Sequence, residues 1–419
     1  ASQVLTLDEA LSLAITRNYD VRLARQDSAA ARITGSRAIT GFLPTANVTA
    51  TYADGANNLT QVLASGQTIE RNGAGYSNLN AVGILNWTIF DGLRMFAAAD
   101  RLSAAERRGL AIVQSKLQFI IADVITKYSA LVATTQFLKQ ADSAKVLATQ
   151  RYEIERNRVE AGSVSGVELR QAEIDKYDAE LVVLRNRMEL GNRMSELNTL
   201  LGRDPATQFT VSDTMVMPEL PPQPQAQSSI DRTNPDVLAA QHALAEASAH
   251  VAEVTATFLP RIPVQGAYQV TRDTSDAGFL LQNRSNGAYV GATLQWNLFN
   301  GLNDAYDRQL AKLDEERSRI SIDAIRNDLR GQIDRAYRTH AALQEQRRIQ
   351  QASLAAAERN ASVALEKLRI GSVTPLEVRQ SLLSYLEAAE GVARLAYQDR
   401  LVHVEILRLQ GALVQTSSP

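Results

Sequence analysis

Trp87-Thr88-Ile89-Phe90-Asp91-Gly92-Leu93 occurs a second time in this chain, as Trp296-Asn297-Leu298-Phe299-Asn300-Gly301-Leu302. Each copy stands between two textures. On the C-terminal side, residues 93–161 and 302–370 run without proline and with one internal glycine each, Gly109 and Gly331. In the first run Leu117, Ile120/Ile121, Val124/Ile125, Tyr128, Leu131/Val132, Thr135 and Leu138 recur in steps of three and four. That is the period of a helix with one buried seam. A single helix of this span measures about 100 Å at ~1.5 Å per residue, several times the common globular helix. No ordinary core requires such a rod.

On the N-terminal side the period falls to two. Over 45–54, Val48 and Tyr52 face one way and Asn47, Thr49 and Thr51 the other. Over 77–90, Ala81, Gly83, Leu85 and Trp87 share a face opposite Asn80, Val82, Ile84 and Asn86. Both stretches are poor in charge, and they approach the roughly 9 to 11 residues with which a tilted strand crosses a bilayer. A segment rich in Gly, Asn, Ser and Gln, 55–76, separates them and reads as an exposed turn.

The repetition extends along the chain and marks an internal duplication. Asn18-Tyr19-Asp20-Val21 returns as Asn234-Pro235-Asp236-Val237, Phe42-Leu43-Pro44 as Phe258-Leu259-Pro260, Ala161-Gly162-Ser163-Val164 as Ile370-Gly371-Ser372-Val373, and Gly202 as Gly411. The offset is 216 residues before the strands and 209 after them, which puts the difference in the strand region, most simply in a longer first loop. The first repeat is expected over 1–202, with helices at 21–41, 91–161 and 167–201 and strands at 45–54 and 77–90. The second is expected over 232–411, with helices at 234–258, 301–370 and 375–410 and strands at 261–272 and 286–299. A short helix capped by Thr6 precedes them. The linker, 203–231, contains Met215-Val216-Met217-Pro218-Glu219-Leu220-Pro221-Pro222-Gln223-Pro224, too rich in proline to be helical. A tail, 412–419, follows the second repeat.

Composition narrows the classes. The 419 residues suffice for two or three ordinary domains, and 44 basic against 46 acidic residues leave no basic face for nucleic acid. Without cysteine there are no disulfides, thiolate metal sites or N-terminal cysteine anchors. No uninterrupted apolar run reaches the length of a membrane-spanning helix, so none is expected. The sequence begins Ala1-Ser2-Gln3 without a basic, hydrophobic leader. It reads either as a cytoplasmic chain lacking its methionine or as a mature chain after signal cleavage.

Two membrane-length strands per repeat make four per chain. Four strands cannot close a barrel, and an open edge is not tolerated in hydrocarbon. Three chains would close twelve strands, an even number in the known range. Because the rods continue from the strands, the same closure would arrange them as a hollow cylinder. The expected fold is an all-α barrel joined to a transmembrane β-barrel: a homotrimeric 12-stranded β-barrel plus a 12-helix periplasmic tunnel. The alternative is a nonconducting periplasmic scaffold, with antiparallel coiled coils and a soluble hairpin. It does not explain why charge vanishes from the alternating segments. Trp87 and Trp296, the two tryptophans, occupy matched strand ends, as membrane-interface aromatics would. Core packing would also account for that placement.

The duplicated Phe-Leu-Pro, the Trp-x-x-Phe-Asp/Asn-Gly-Leu junction and the Gly-Ser-Val-Ser/Thr turn, in this order and twice over, resemble the outer membrane efflux protein family. These are the TolC-like channels of Gram-negative bacteria, and the resemblance runs from Leu5 to about Gly411. It implies a homotrimer in outer-membrane lipid, extending into the periplasm, with a mixed equatorial domain at 203–231 and the tail. It further implies an exit duct for a tripartite efflux pump or a type I secretion system. The implied partners are a periplasmic adaptor (membrane fusion) protein and an inner-membrane RND pump or ABC exporter.

No enzyme is legible. His242, His250, His340 and His403 are scattered on predicted helices, with no His-x-x-x-His pair, thiolate or glycine-rich phosphate loop beside them. Neither a metal nor a cofactor is expected. Carboxylates are as plentiful as any solvated helical surface requires. Function is expected where the tunnel narrows, and the resemblance places that periplasmic tip at turns 162–166 and 371–375. It also implies a gate in the second repeat's helical pair. Glu377 takes the family's first acidic position, and three copies around a narrow opening would favour cations. Gln380 stands where some members have a second aspartate. Val373 and Leu368 replace the arginine and tyrosine of a latch used by some relatives, so that latch is not expected. Glu377 also reads as a first-turn acid behind Pro375, stabilised by the helix amide end, and the two roles are compatible. Adaptor docking is expected at Arg158, Val159, Gly162, Ser163 and Val164, with Gly371 and Ser372 in the second repeat. Asn47, Thr49 and Thr51 belong to a polar face suited to a water-filled lumen; which face lines it is open from sequence.

Overall fold

A computed structural model describes residues 3–162, 165–212, 219–277 and 280–413. In chain order the elements are β1 (Gln3–Leu5), α1 (Leu7–Arg17), α2 (Tyr19–Ser36), β2 (Thr45–Val62), β3 (Thr68–Phe90), α3 (Arg94–Glu160), α4 (Gly166–Leu200), β4 (Phe209–Val211), α5 (Gln223–Thr233), α6 (Pro235–Thr255), β5 (Ile262–Ser275), β6 (Gln282–Ala292), α7 (Asn303–Arg369) and α8 (Pro375–Leu409). Short 3-10 turns follow α2 and α6, at Arg37–Phe42 and Ala256–Phe258. Both rods are single helices of 67 residues, and both return helices have 35. The chain divides into two compact units: residues 1–29, 109–240 and 321–419 form one, and 30–108 and 241–320 the other.

The second unit is built on an antiparallel four-stranded sheet ordered β2-β3-β5-β6. The two hairpins of the duplication meet along β3 and β5, so β2 and β6 are edges. Directly paired residues share a face, which sorts the sheet into two surfaces. One carries Val48, Gly83, Tyr268 and Ala288 in one row and Ala46, Leu85, Gly266 and Val290 in the next. The other carries Thr49, Val82, Gln269 and Gly287, then Thr51, Asn80, Thr271 and Ser285. The apolar surface is exposed, with Val48 at 83% and Val290 at 81%, and so are Thr49, Thr51, Gln269 and Ser285 on the polar one.

The strands differ from the sequence expectation in length. The 55–76 segment continues both strands of the first hairpin, leaving only 63–67 as its turn, with Gly66 at φ 84°. In the second hairpin β5 ends at Ser275 and β6 begins at Gln282. The extra length of the first hairpin therefore lies in its strands, since Asn, Gly and Gln pair well enough where a neighbouring strand supplies the ladder. The strand expected over 286–299 instead spans Gln282–Ala292, with one isolated bridge at Arg261 and Gln295. Pro263 explains the break: it accepts from the Thr293 amide (3.0 Å) but has no N–H to return.

The duplicated junction motif has a shared structural cause. The Trp87 indole donates to the Phe42 carbonyl (2.9 Å), and the Trp296 indole to that of Phe258 (3.1 Å). Each strand end is thereby tied to its own Phe-Leu-Pro. Gly92 and Leu93, then Gly301 and Leu302, take left-handed conformations with φ between 69° and 72°. Two successive left-handed residues turn strand into helix, so the rods begin at Arg94 and Asn303 and not at 91 and 301.

In the first unit, Leu5, Ala10, Val124, Tyr128, Leu131, Leu197, Leu201 and Phe209 form one cluster. Each large apolar side chain so buried contributes about 1.5–3 kcal/mol. An 18-residue window of α3 reaches a mean hydropathy of 1.3, enough for a membrane span by length and composition, contrary to expectation. The seam residues Ile121, Val124, Ile125, Leu131 and Val132 are buried in this unit, and 39% of that window is buried in all, so core packing accounts for part of its hydropathy.

The linker also differs from expectation, because α5 forms within it. Pro222 stands at its N-cap and Pro224 in its first turn, where the missing N–H groups have no helical acceptor to serve. Beyond them Ala226 and Ile230 bury fully against Leu329, Ile333 and Leu409. Residues 213–218 of the linker and 414–419 of the tail lie outside the described residues.

The echo of Asn18 in Asn234 is a paired joint. Asn18 donates to the Leu200 carbonyl (2.7 Å) and accepts from the Val21 amide (2.9 Å). Asn234 donates to the Leu409 carbonyl (2.8 Å) and accepts from the Val237 amide (3.1 Å). One side chain thus caps the first helix of a repeat and satisfies the end of its last.

Candidate functional site

Both helical turns expected at the tip belong to the first unit. The rods end in left-handed glycines, Gly162 at φ 70° and Gly371 at φ 73°. At the second turn the Gly371 amide reaches Leu368 O (3.0 Å) and the Ser372 amide Lys367 O (2.9 Å), closing the last carbonyls of α7. Ser165 caps α4 through the Val167 amide (3.4 Å) and bonds to the Glu168 carboxylate. That bond and Glu168's own backbone amide hold its carboxyl below the usual carboxylate range. Across the duplication, Thr374 and Glu377 form a reciprocal box. The Thr374 amide donates to Glu377 (2.8 Å), and the Glu377 amide donates to Thr374 Oγ1 (3.3 Å).

Glu377 is therefore engaged as a cap while its side chain stays exposed, and Gln380 is exposed one turn on. Leu368 is fully buried with Leu365 and Val378, and Val373, Leu147 and Ile154 pack against them. The two positions that lack latch residues are joined by apolar packing.

Polar fastening exists elsewhere. Asp175 on α4 is ion-paired with Arg151 on α3 and with Arg379 on α8 (3.2 Å), and accepts from Gln171 (3.0 Å). Arg151 is 2% exposed. The cluster joins the first repeat's pair to the second repeat's return helix. Nearby, Glu155 is fully buried with Arg158 at 3.3 Å. Burial pushes its carboxyl up, against the pull of Arg158 and Arg151. The sequence held a signal for this cluster: Arg151 sits four residues after Leu147 and three before Ile154, a charge on an apolar seam. Asp175 and Arg379 carried none, because their meeting depends on packing between the repeats.

The remaining expected residues fall as follows. Arg158 and Val159 are half-buried; Gly162, Gly371 and Ser372 are exposed; Ser163 and Val164 lie outside the described residues. The Trp87 and Trp296 rings are 46% and 57% exposed with their indole N–H groups bonded, so neither is a core residue. The histidines are less scattered than expected. His340 and His403 stack edge to face with centroids 5.8 Å apart, and Asp399 lies 2.8 Å from His340 Nδ1 and 2.5 Å from Arg347. Among the described residues no group of three or more His, Asp or Glu is arranged to hold a metal ion.

The sequence matches the family model described as outer membrane efflux protein over residues 10–203 and 228–411. Among curated proteins, Protein CyaE of Bordetella pertussis is 26% identical over 289 residues, covering 66% of this chain and 59% of that protein. The match thus spans about three-fifths of that relative's length. Among solved structures, the Campylobacter jejuni CmeC outer membrane channel superposes with a TM-score of 0.81 at 18% identity, covering 97% of this chain and 85% of that one. The Vibrio cholerae outer membrane protein VceC gives 0.82 at 14% identity, covering 97% and 96%. The open-state Neisseria gonorrhoeae MtrE channel gives 0.76 at 17%, covering 97% and 89%. These similarities establish a shared fold.

Proposed function

The chain belongs to the outer membrane efflux protein family, and on that footing we propose that it is the subunit of a homotrimeric outer-membrane channel, the exit duct of a tripartite efflux pump or type I secretion system. One observation carries the reading furthest. Both repeats match the family, and together they build a sheet with two unpaired edges and an exposed apolar face. Such a sheet is unsatisfied alone in lipid, whereas three copies joined β6 to β2 make a closed barrel of twelve strands. The apolar face then meets lipid, with Trp87 and Trp296 at its helix-side border. Asn47, Thr49, Thr51, Asn80 and Gln269 line the water path. The helices form the periplasmic tunnel. No acid/base or nucleophilic site is invoked, and transport energy comes from an inner-membrane RND pump or ABC exporter that selects the cargo. A periplasmic adaptor grips the tips around Arg158, Val159, Gly162, Ser163, Val164, Gly371 and Ser372. The nonconducting scaffold has no support from the family match.

The gate lies at the second repeat's tip. Three Glu377 carboxylates ring the opening, with Gln380 beside them and Leu368 and Val373 packing the turn behind. The Asp175–Arg379 pair holds α8 against the first repeat. Purified protein should form heat-modifiable trimers and conduct weakly in planar bilayers with cation preference. Glu377→Gln keeps the N-terminal box, which accepts Glu or Gln, and removes the charge. Reversal-potential measurements should show the preference reduced; unchanged selectivity would remove Glu377 from the gate.

A further inference from the structure

The apolar sheet face ends in a pair of arginines. Arg272 and Arg284 are direct cross-strand partners on β5 and β6, so both side chains leave the same face. This is the face that exposes Val48, Tyr52, Leu85, Tyr268 and Val290, and its row at the helix end is Trp87, Val264 and Ala292. The arginine row holds Tyr52 and Leu79 on β2 and β3. Like charges placed directly opposite weaken a sheet. Both arginines are exposed, and neither forms an ion pair among the described residues. With its amide suitably turned, the Gln282 oxygen lies 2.9 Å from Arg284 Nη2, which offers a neutral acceptor and leaves both charges uncompensated.

Their depth is informative. Val264 to Arg272 is eight residues along β5, about 26 Å at ~3.3 Å per residue. At the usual barrel tilt of roughly 40° this is about 20 Å along the membrane normal, close to the apolar band of about 25 Å. If the Trp87 row marks one boundary of the hydrocarbon, the arginines stand at the other, at headgroup level near the end of β5. Between the two rows this face carries no Asp, Glu, Lys or Arg.

We infer that Arg272 and Arg284 together bind the phosphate of an outer-leaflet lipid headgroup. The inference rests on the channel reading, which turns this face toward lipid. Two guanidinium forks side by side match the several oxygens of one phosphate monoester, and the ligand's charge removes the mutual repulsion of the pair. The lipid's acyl chains then lie over Val270, Tyr268 and their neighbours. A phosphorylated glycolipid of the outer leaflet has this chemistry, with anionic head and apolar body in one molecule.

The test uses the full chain as purified trimer in neutral detergent. Thermal unfolding is followed with diphosphoryl lipid A, with chemically dephosphorylated lipid A, and with inorganic phosphate at equal concentration. The expected result is a rise in the transition temperature with diphosphoryl lipid A alone, lost in Arg272→Gln/Arg284→Gln. Equal shifts with both lipids, or a shift retained in the double variant, would overturn the inference. A shift with inorganic phosphate alone would also overturn it, in favour of a free-anion site. Insertion into phosphatidylcholine bilayers is measured in parallel. Wild type and double variant that both insert and conduct alike, without a phosphate effect, refute only the lipid site. Failure of wild type to insert refutes the channel reading itself.

Discussion

At Gly411 the backbone runs at φ 69°, and a methyl group there would overlap the carbonyl oxygen of Thr233; at Gly202 it would lie 2.7 Å from the Arg17 carbonyl. Gly371 has the same kind of φ, 73°, with nothing within 4 Å. The pair separates two costs of a side chain. Gly371→Ala should lose about 1–2 kcal/mol from the left-handed conformation alone. Gly411→Ala adds an overlap that only backbone movement relieves and should lose about 3 kcal/mol or more. Thermal or denaturant unfolding of the two variants gives the comparison, and equal losses would contradict the close joint. At this scale the sequence is legible in part. The repeated Gly202 and Gly411, like the repeated Asn18 and Asn234, announce their importance by recurring. Their reason is invisible in one dimension, since each asparagine finds its carbonyl 182 or 175 positions away.

The long helices were readable because period and the absence of proline speak with one voice over many turns. Strand ends and the linker were not. Asn, Gly and Gln in 55–76 look like a turn until a neighbouring strand pairs with them, and the prolines before α5 forbid a helix only in its interior, not in its first turn. Between elements, Asp175 is the fastening that sequence could not show, because α3, α4 and α8 meet only on folding. Arg379→Gln cuts the tie to α8 and leaves Arg151 paired. A partly exposed ion pair contributes about 0.5–1 kcal/mol. Three copies would then move a closed–open balance by roughly tenfold to a hundredfold. Single-channel recording should show larger or more frequent openings in Arg379→Gln, and wild-type gating would exclude this pair from the gate.

For the whole molecule, the informative features are the outer edges of β2 and β6. Within one chain β3 and β5 have neighbours on both sides, and β2 and β6 are the two edge strands of the sheet. A closed trimer makes each β6 depend on the β2 of another copy. The consequence belongs to genetics. A subunit with a ruined edge, such as Ala288→Pro, whose amide points away from β5, still offers a sound β2 and is recruited, yet cannot complete the ring. Expressed at parity with the normal allele, and with random mixing, it leaves only about one trimer in eight free of the altered copy, against one half if subunits acted alone. Counting heat-resistant trimers from such a mixed culture tests this. The expected pattern is dominance: a single faulty allele, with a normal one beside it, should silence most of the cell's ducts.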